Sequence, residues 1–275
     1  MQSSGNENID LINNFLASLS IDKSLNTISS YENDLHLFLK FLITKKKNLA
    51  SSNENDVSEY FSQYFLKDKY NFVKIAEATT VRRKISCFRL FFGYLVETGL
   101  ISKNPIEEVE VPKKATNLPF YLTQDEVEAL FEYTTSLNTK DGIRINAILR
   151  ILYSSGLRVS EAITMKIDDV LAQDGSVKKK VIVLGKGNKE RMIFLDKPTQ
   201  KAVEKYLTIR DVFKPSKNNR YLFCSQSKAG HVSRENIFIS LQKVAYKANL
   251  PDRLSPHKLR HSFATHMYQH GMDLR

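Results

Sequence analysis

Five side chains in three separated stretches are suited to chemistry on a phosphodiester. GLRVSEA (156–162) supplies Arg158 and Glu161, GKGNKER (185–191) supplies Lys186, and SPHKLRHSFATH (255–266) supplies His257 and Arg260. The planar fork of an arginine matches two phosphate oxygens, and a lysine on a turn can protonate a leaving oxygen. Glu161 follows Arg158 by three residues, so on a helix it stands one turn away and can orient it. His257 and Arg260 have the same spacing and share a helix face. Ser255-Pro256 sets the start of that helix, where free N–H groups and the helix dipole favour an anion. Plainer alternatives stand beside these assignments. Arg158 and Glu161 can form a structural pair that caps a helix, and Lys186 can be an ordinary solvated turn lysine. His261 and His266 are expected to pack or hydrogen-bond within the fold. HxxxH at 257–261 and 266–270 has a zinc-like spacing, but no glutamate follows as in HExxH and the basic neighbours disfavour a cation. No metal and no cofactor are expected.

These groups need elements to hold them. Ile9, Leu11, Ile12, Phe15, Leu16 and Leu19 fall at helical spacing over 8–20. Ser24 or Asn26 can cap a second helix with Tyr31, Leu35, Leu37, Phe38, Phe41 and Leu42 as its apolar positions. A short helix is expected at about 57–67. A fourth, Thr79 to Thr98, carries Val81, Ile85, Phe88, Leu90, Phe91, Tyr94 and Leu95 and stops at Gly99. No strand signal occurs in this half. Pro105, Pro112 and Pro119 mark an extended stretch, because proline cannot continue a helix and biases its predecessor to extended geometry. Thr123 then caps a helix with Glu126 in capping-box position, and another helix over 142–155 ends at Gly156. The β-rich runs 178–184 and 191–195 flank GKGNKE and predict a hairpin with Lys186 between Gly185 and Gly187. Helices are expected at 197–211, 233–248 and 255–270. The expected architecture is mostly α, with a helical domain over 1–111, a linker over 112–121, and a mainly helical domain over 122–275 that carries a small antiparallel sheet.

Charge separates the halves. Up to Val111 the chain holds 13 Lys/Arg against 14 Asp/Glu, a net −1; from Pro112 onward it holds 28 against 16, a net +12. A basic surface of domain size favours a polyanion, most simply nucleic acid, though a merely soluble basic domain has the same signature. Arg82, Arg83, Lys84, Lys189 and Arg191 are the candidate DNA contacts outside the five groups above. Cys87 and Cys224 are the only cysteines and lack metal-ligand spacing, and Cys87 sits in an apolar helical run as a small core residue. The N-terminus has no signal-peptide pattern and no run approaches a membrane span, so a cytoplasmic protein without membrane contact is expected.

In order along the chain, GLRVSEA, GKGNKER and HKLRHSFATH resemble the tyrosine recombinases, most closely the bacterial Xer type on its XerD-like side. SYENDL, the RKIS–FFGYL helix, the NP…PK…LP linker and LTQDEVEALF carry the same likeness, which covers essentially all 275 residues. The resemblance implies a SAM-like core-binding domain and a catalytic domain that close on a short double-stranded DNA site. It implies Arg158 and Arg260 on the scissile phosphate, Lys186 as acid for the 5′ leaving oxygen, His257 in proton transfer, and Glu161 supporting Arg158. The implied reaction is transesterification through a 3′-phosphotyrosyl bond without metal or nucleotide. Its implied setting is resolution of chromosome dimers, with a second Xer recombinase in a heterotetramer. Family members continue past the segment that is here Asp273-Leu274-Arg275 to an LGH-type motif, the nucleophilic tyrosine and a tail helix. The expectation is therefore a catalytic domain incomplete at its C-terminus, with no nucleophile in the chain; Tyr268, nearest the end, is expected in the core. A cleavage-dead DNA-binding fragment is the alternative to a recombinase.

Overall fold

The computed structural model describes residues 3–65, 78–107, 109, 120–185, 189–213, 218–251 and 254–271. Two compact units divide the chain, Met1–Asn117 and Leu118–Arg275. Residues 112–119 of the expected linker lie outside the described residues.

The first unit consists of α1 (Ser3–Ser18), α2 (Leu25–Thr44), α3 (Glu54–Phe65) and α4 (Ala78–Glu97). Ser24 is the cap of α2, its hydroxyl accepting the Thr27 N–H at 3.3 Å. Gly99, at φ +73°, ends the run after α4. The stripes meet in an aromatic core of Phe15, Phe38, Phe61, Phe88, Phe91 and Phe92, all buried. The Phe38 and Phe88 rings lie 4.9 Å apart, in the range where aromatic pairs add to their area burial. Cys87 is buried among them, and burial raises its thiol pKa, with Asp34 adding to the shift.

Three apolar positions expected inside are exposed: Ile9, Leu37 and Leu90. Leu37 and Leu90 each follow a core residue, Leu35 and Phe88, by two positions. That is roughly 200° around a helix, off the buried stripe. In α1 it is Asn8 that turns inward, its Oδ1 accepting the Leu49 N–H at 2.9 Å, and this sets the rotation that leaves Ile9 outside.

The second unit is organised on one buried helix, α6. It consists of α5 (Gln124–Ser136), α6 (Lys140–Ser155), α7 (Val159–Thr164), α8 (Ile167–Val170), β1 (Lys180–Leu184), β2 (Glu190–Phe194), α9 (Lys197–Leu207), a 3₁₀ turn (Arg210–Phe213), α10 (Arg234–Lys247) and α11 (Pro256–Gln269). The capping box forms as expected: Glu126 Oε2 accepts the Thr123 N–H at 2.7 Å, and Thr123 Oγ1 accepts the Glu126 N–H at 3.2 Å. In α6, Ile143, Ile145, Ala147, Ile148, Leu149, Ile151 and Leu152 are all buried, because α5, α9, α10 and α11 pack around it. The hairpin also forms, antiparallel with Val183 opposite Arg191 and its turn closed by Gly185 N–H to Lys189 O at 2.8 Å. Val181, Val183 and Ile193 face the core, while Ile182, Leu184, Met192 and Phe194 face outward. The expected helix over 197–211 stops at Leu207 and gives way to the 3₁₀ turn, where the Arg210 side chain donates to the Asn219, Tyr221 and Leu222 carbonyls. No helix among the described residues is long and apolar enough to cross a membrane.

Candidate functional site

Helix α6 ends because Gly156 adopts the left-handed conformation, φ +58°, which glycine enters without steric penalty. A Cβ there would stand 2.6 Å from two ring carbons of Phe263 on α11. Close approach at this point brings the turn before Arg158 against the helix that carries Arg260. Two residues on, Arg158 caps the short helix α7. Its backbone N–H donates to Glu161 Oε2 at 2.8 Å, and its Nη1 donates to Oε1 at 3.0 Å. The pair therefore takes the form that the structural reading expects: the carboxylate accepts from the Arg158 backbone at the start of α7 and holds its guanidinium in place.

Glu161 is the hub of the site. Its side chain is 11% exposed, against 49% for Arg158. From β2, Arg191 donates through Nη2 to Oε2 at 2.7 Å and through Nη1 to Oε1 at 3.3 Å. From α11, Arg260 Nη1 stands 3.9 Å from Oε2, too far for a hydrogen bond. That Nη1 is buried and has no hydrogen-bond partner among the described residues. Burial by itself would raise the Glu161 pKa, but the hydrogen bonds from Arg191 and from Arg158 outweigh it and hold the carboxyl below its usual value. Burial lowers the Arg260 pKa, and the charges of Arg158 and Arg191 add to this against the opposing pull of Glu161. Three guanidinium groups around one carboxylate leave a net +2, with one buried donor unsatisfied. Such a cluster is completed by an oxyanion.

The remaining candidates are placed as follows. His257 is exposed on the first turn of α11, three residues before Arg260, and Ser255 caps that helix by accepting the Lys258 N–H at 3.3 Å. Lys186 lies outside the described residues. Lys189 is exposed. His266 is buried, its Nδ1 sharing a hydrogen bond with the Tyr153 hydroxyl at 2.8 Å. His261 Nδ1 lies 3.3 Å from Thr265 Oγ1, and His270 Nδ1 donates to the His266 carbonyl at 2.7 Å. These histidines are engaged within the fold, and no group of His, Cys, Asp or Glu among the described residues could hold a metal ion.

Two expectations are corrected by the geometry. Tyr268, expected in the core, is 72% exposed; it follows buried His266 by two residues and so points roughly 200° away from it. Lys84, expected at a DNA surface, is buried, with its ammonium 2.7 Å from Asp34 Oδ1. Asp34 is itself buried and also takes Arg83, so an internal ion pair satisfies Lys84 and leaves no path to a phosphate. Arg82 stays exposed. Arg82, Arg83 and Lys84 all belong to the first unit, the four-residue cluster around Glu161 to the second.

The contact that sequence reasoning missed is Arg191 to Glu161. Arg191 had been assigned only to the DNA surface, yet it alternates with Ile193 onto the inward face of β2. That period-two signal was present in RMIF.

Residues 121–275 match the Phage integrase family, and residues 12–99 match the Phage integrase N-terminal SAM-like domain. Among curated relatives, Tyrosine recombinase XerD of Rickettsia prowazekii is 38% identical over 279 residues, covering 97% of this chain and 86% of its own length. Tyrosine recombinase XerD of Listeria innocua is 35% identical over 272 residues, covering 97% and 87%. Among solved structures, the XerH site-specific recombinase bound to palindromic difH substrate is 24% identical with a TM-score of 0.66, over 91% of this chain and 71% of that one. A lambda integrase tetramer bound to a Holliday junction is 15% identical with a TM-score of 0.69, over 96% and 74%. At these identities the two structures establish the fold.

Proposed function

The chain belongs to the phage integrase family, the tyrosine recombinases, and from that premise we propose that it cuts and rejoins double-stranded DNA by metal-independent transesterification at the Glu161 cluster. Arg158 and Arg260 bind the non-bridging oxygens of the scissile phosphate. A tyrosine hydroxyl gives up its proton to solvent and attacks phosphorus, the bond to the 5′ oxygen breaks, and Lys186 protonates that oxygen. The phosphate stays on the tyrosine as a 3′-phosphotyrosyl ester, and His257 assists the proton transfers. Arginine donors fixed before the reaction stabilise the charge that develops on the phosphorane. The nucleophile is assigned to none of the tyrosines among the described residues. The observation that carries the proposal is the buried, unpartnered Nη1 of Arg260 within a cluster of net positive charge.

The wider setting is part of the same proposal. The XerH structure holds its difH substrate and the lambda integrase structure is a tetramer on a junction, which supports a duplex DNA partner and a multimeric assembly. Relatives named Tyrosine recombinase XerD and Tyrosine recombinase XerC are consistent with a second Xer recombinase as the partner subunit, and the proposed role is chromosome dimer resolution.

Binding of a short random-sequence duplex, followed by fluorescence anisotropy at several salt concentrations, tests the phosphate contact. Affinity falls steeply with salt; Arg158→Ala or Arg260→Ala each weaken binding and lower the log–log slope, and the double variant lowers it by about 0.9, the value for the one phosphate they share. Duplexes selected from a random pool, nicked and incubated with the protein, then test cleavage. An adduct stable to SDS that either arginine variant abolishes supports the mechanism. Lys186→Ala slows cleavage and spares binding. Binding without any adduct leaves a DNA-binding protein and refutes cleavage by this chain. Binding insensitive to salt refutes the phosphate site altogether.

A further inference from the structure

Glu161 carries more partners than orienting Arg158 requires. A carboxylate offers about four lone-pair positions. Arg158 takes two, through its backbone N–H and its Nη1, and Arg191 takes the other two through both Nη atoms. Arg260 Nη1, the next donor out at 3.9 Å, finds the carboxylate already filled and remains without a partner. A buried donor left unsatisfied has a strong tendency to find an acceptor, and Glu161 Oε2 stands only 3.9 Å away.

We propose that Arg191 is a positioning residue: by saturating Glu161 it keeps Arg260 from closing onto that carboxylate and so leaves the Arg260 donor available to the phosphate. This inference rests on the phosphate-binding role proposed above for Arg158 and Arg260. Without Arg191, two acceptor positions on Glu161 open beside Arg260. The guanidinium then moves about 1 Å to make an ordinary hydrogen bond, and the phosphate loses one of its two arginines.

Gly185 supplies an independent observation. A Cβ at this position would stand 2.6 Å from Arg191 Nη1 and 3.3 Å from the Lys189 carbonyl. The Arg191 guanidinium therefore reaches Glu161 by passing over a residue with no side chain. Gly185 is not among the residues with positive φ, so its backbone accepts an alanine and the added methyl acts on Arg191. The Gly185 N–H also donates to the Lys189 carbonyl, so the same arginine ties this end of the two strands to the carboxylate that orients Arg158.

Duplex affinity and its salt slope, measured for Arg191→Ala, Glu161→Gln, the double variant, Gly185→Ala and Arg260→Ala, test the inference. Arg191→Ala is expected to weaken binding and lower the slope as much as Arg260→Ala does. In the Glu161→Gln background the same substitution is expected to have a much smaller further effect, because the neutral amide oxygen holds Arg260 far less strongly than the carboxylate would. Gly185→Ala, which removes no charge, is expected to match Arg191→Ala while its circular dichroism stays that of the parent. If Arg191→Ala weakens binding equally in both backgrounds, Arg191 touches the DNA directly or only supports the hairpin, and the inference is overturned. If Arg260→Ala and Arg158→Ala leave affinity and slope unchanged, the phosphate site itself fails and the inference falls with it. Those two failures are distinguishable, since only the second is seen without altering Arg191.

Discussion

Replacing Gly156 by alanine should damage both the stability of the second unit and its site, and the structure sets the size of the effect. The residue sits at φ +58°, where a Cβ costs roughly 1–2 kcal/mol. The new methyl would also meet Cδ1 and Cε1 of Phe263 at 2.6 Å. That ring packs edge-on against Tyr153, with centroids 6.2 Å apart, so it cannot swing aside without disturbing a second aromatic. Overpacking of this kind typically costs about 1–3 kcal/mol. Together they give roughly 2–5 kcal/mol. Gly175→Ala is the matched control within the same unit, because its φ is +82° and a Cβ there meets nothing within 4 Å; it should lose only the conformational part, about 1–2 kcal/mol. The chain has no tryptophan, so urea unfolding is followed by far-ultraviolet circular dichroism. Phe263 lies three residues beyond Arg260, and a ring pushed outward separates Arg260 from Arg158, so duplex affinity should fall for Gly156→Ala and not for Gly175→Ala. Equal destabilisation by the two substitutions would refute the argument that close packing on Phe263, rather than backbone conformation alone, requires glycine at 156.

Asp34→Ala removes the carboxylate that faces the buried Lys84 ammonium and should destabilise the first unit by about 3–5 kcal/mol in urea unfolding; a loss under 1 kcal/mol would mean that this ion pair contributes little to the unit. Leu152→Ala, in the last turn of α6 with no exposed surface, should cost about 2–5 kcal/mol by the same measurement, whereas Thr123→Ala at the capping box should cost about 1 kcal/mol. Acid sensitivity follows from two groups whose folded pKa values are lowered. His266 is held down by burial, with His270 adding to this and a hydrogen bond to the Leu122 backbone opposing it; Glu161 is held down by Arg191 and Arg158 against its burial. In both cases the unfolded chain binds the proton more readily, so the stability they contribute is fully present above the unfolded values of 6.5 and 4.5. It is lost as pH falls through the folded ones. Unfolding free energy of the second unit, measured against pH, should therefore decline first below about 6.5, and His266→Gln should flatten that first decline. A flat profile in the parent protein down to pH 5 would contradict the burial of a neutral imidazole.

The sequence by itself determined the elements, because the forces that define them act within a helical turn or across a hairpin. The Thr123–Glu126 box, the stop at Gly156, the cap at Ser24 and the alternation in KVIVL and RMIF all involve neighbours in the chain, and each appears where local chemistry puts it. The same locality made Arg158 and Glu161 legible as a pair. Tertiary structure alone decided which faces are covered and which charges meet. Asp34 and Lys84 are 50 residues apart, Glu161 and Arg191 are 30 apart, and the Ser262 hydroxyl that accepts the Leu122 N–H comes from 140 residues away. A lysine in a basic run has the same local signature whether it faces solvent or a buried carboxylate, and Leu37 or Leu90 has the same signature on either side of its helix. Burial is a property of what packs opposite, and no window along the chain contains that partner. The Glu161 cluster is the clearest case: its members came from the sequence, but its balance, with Arg191 bound and Arg260 left with an open donor, needs the glycine at 156 that lets Phe263 of α11 close against the turn before Arg158.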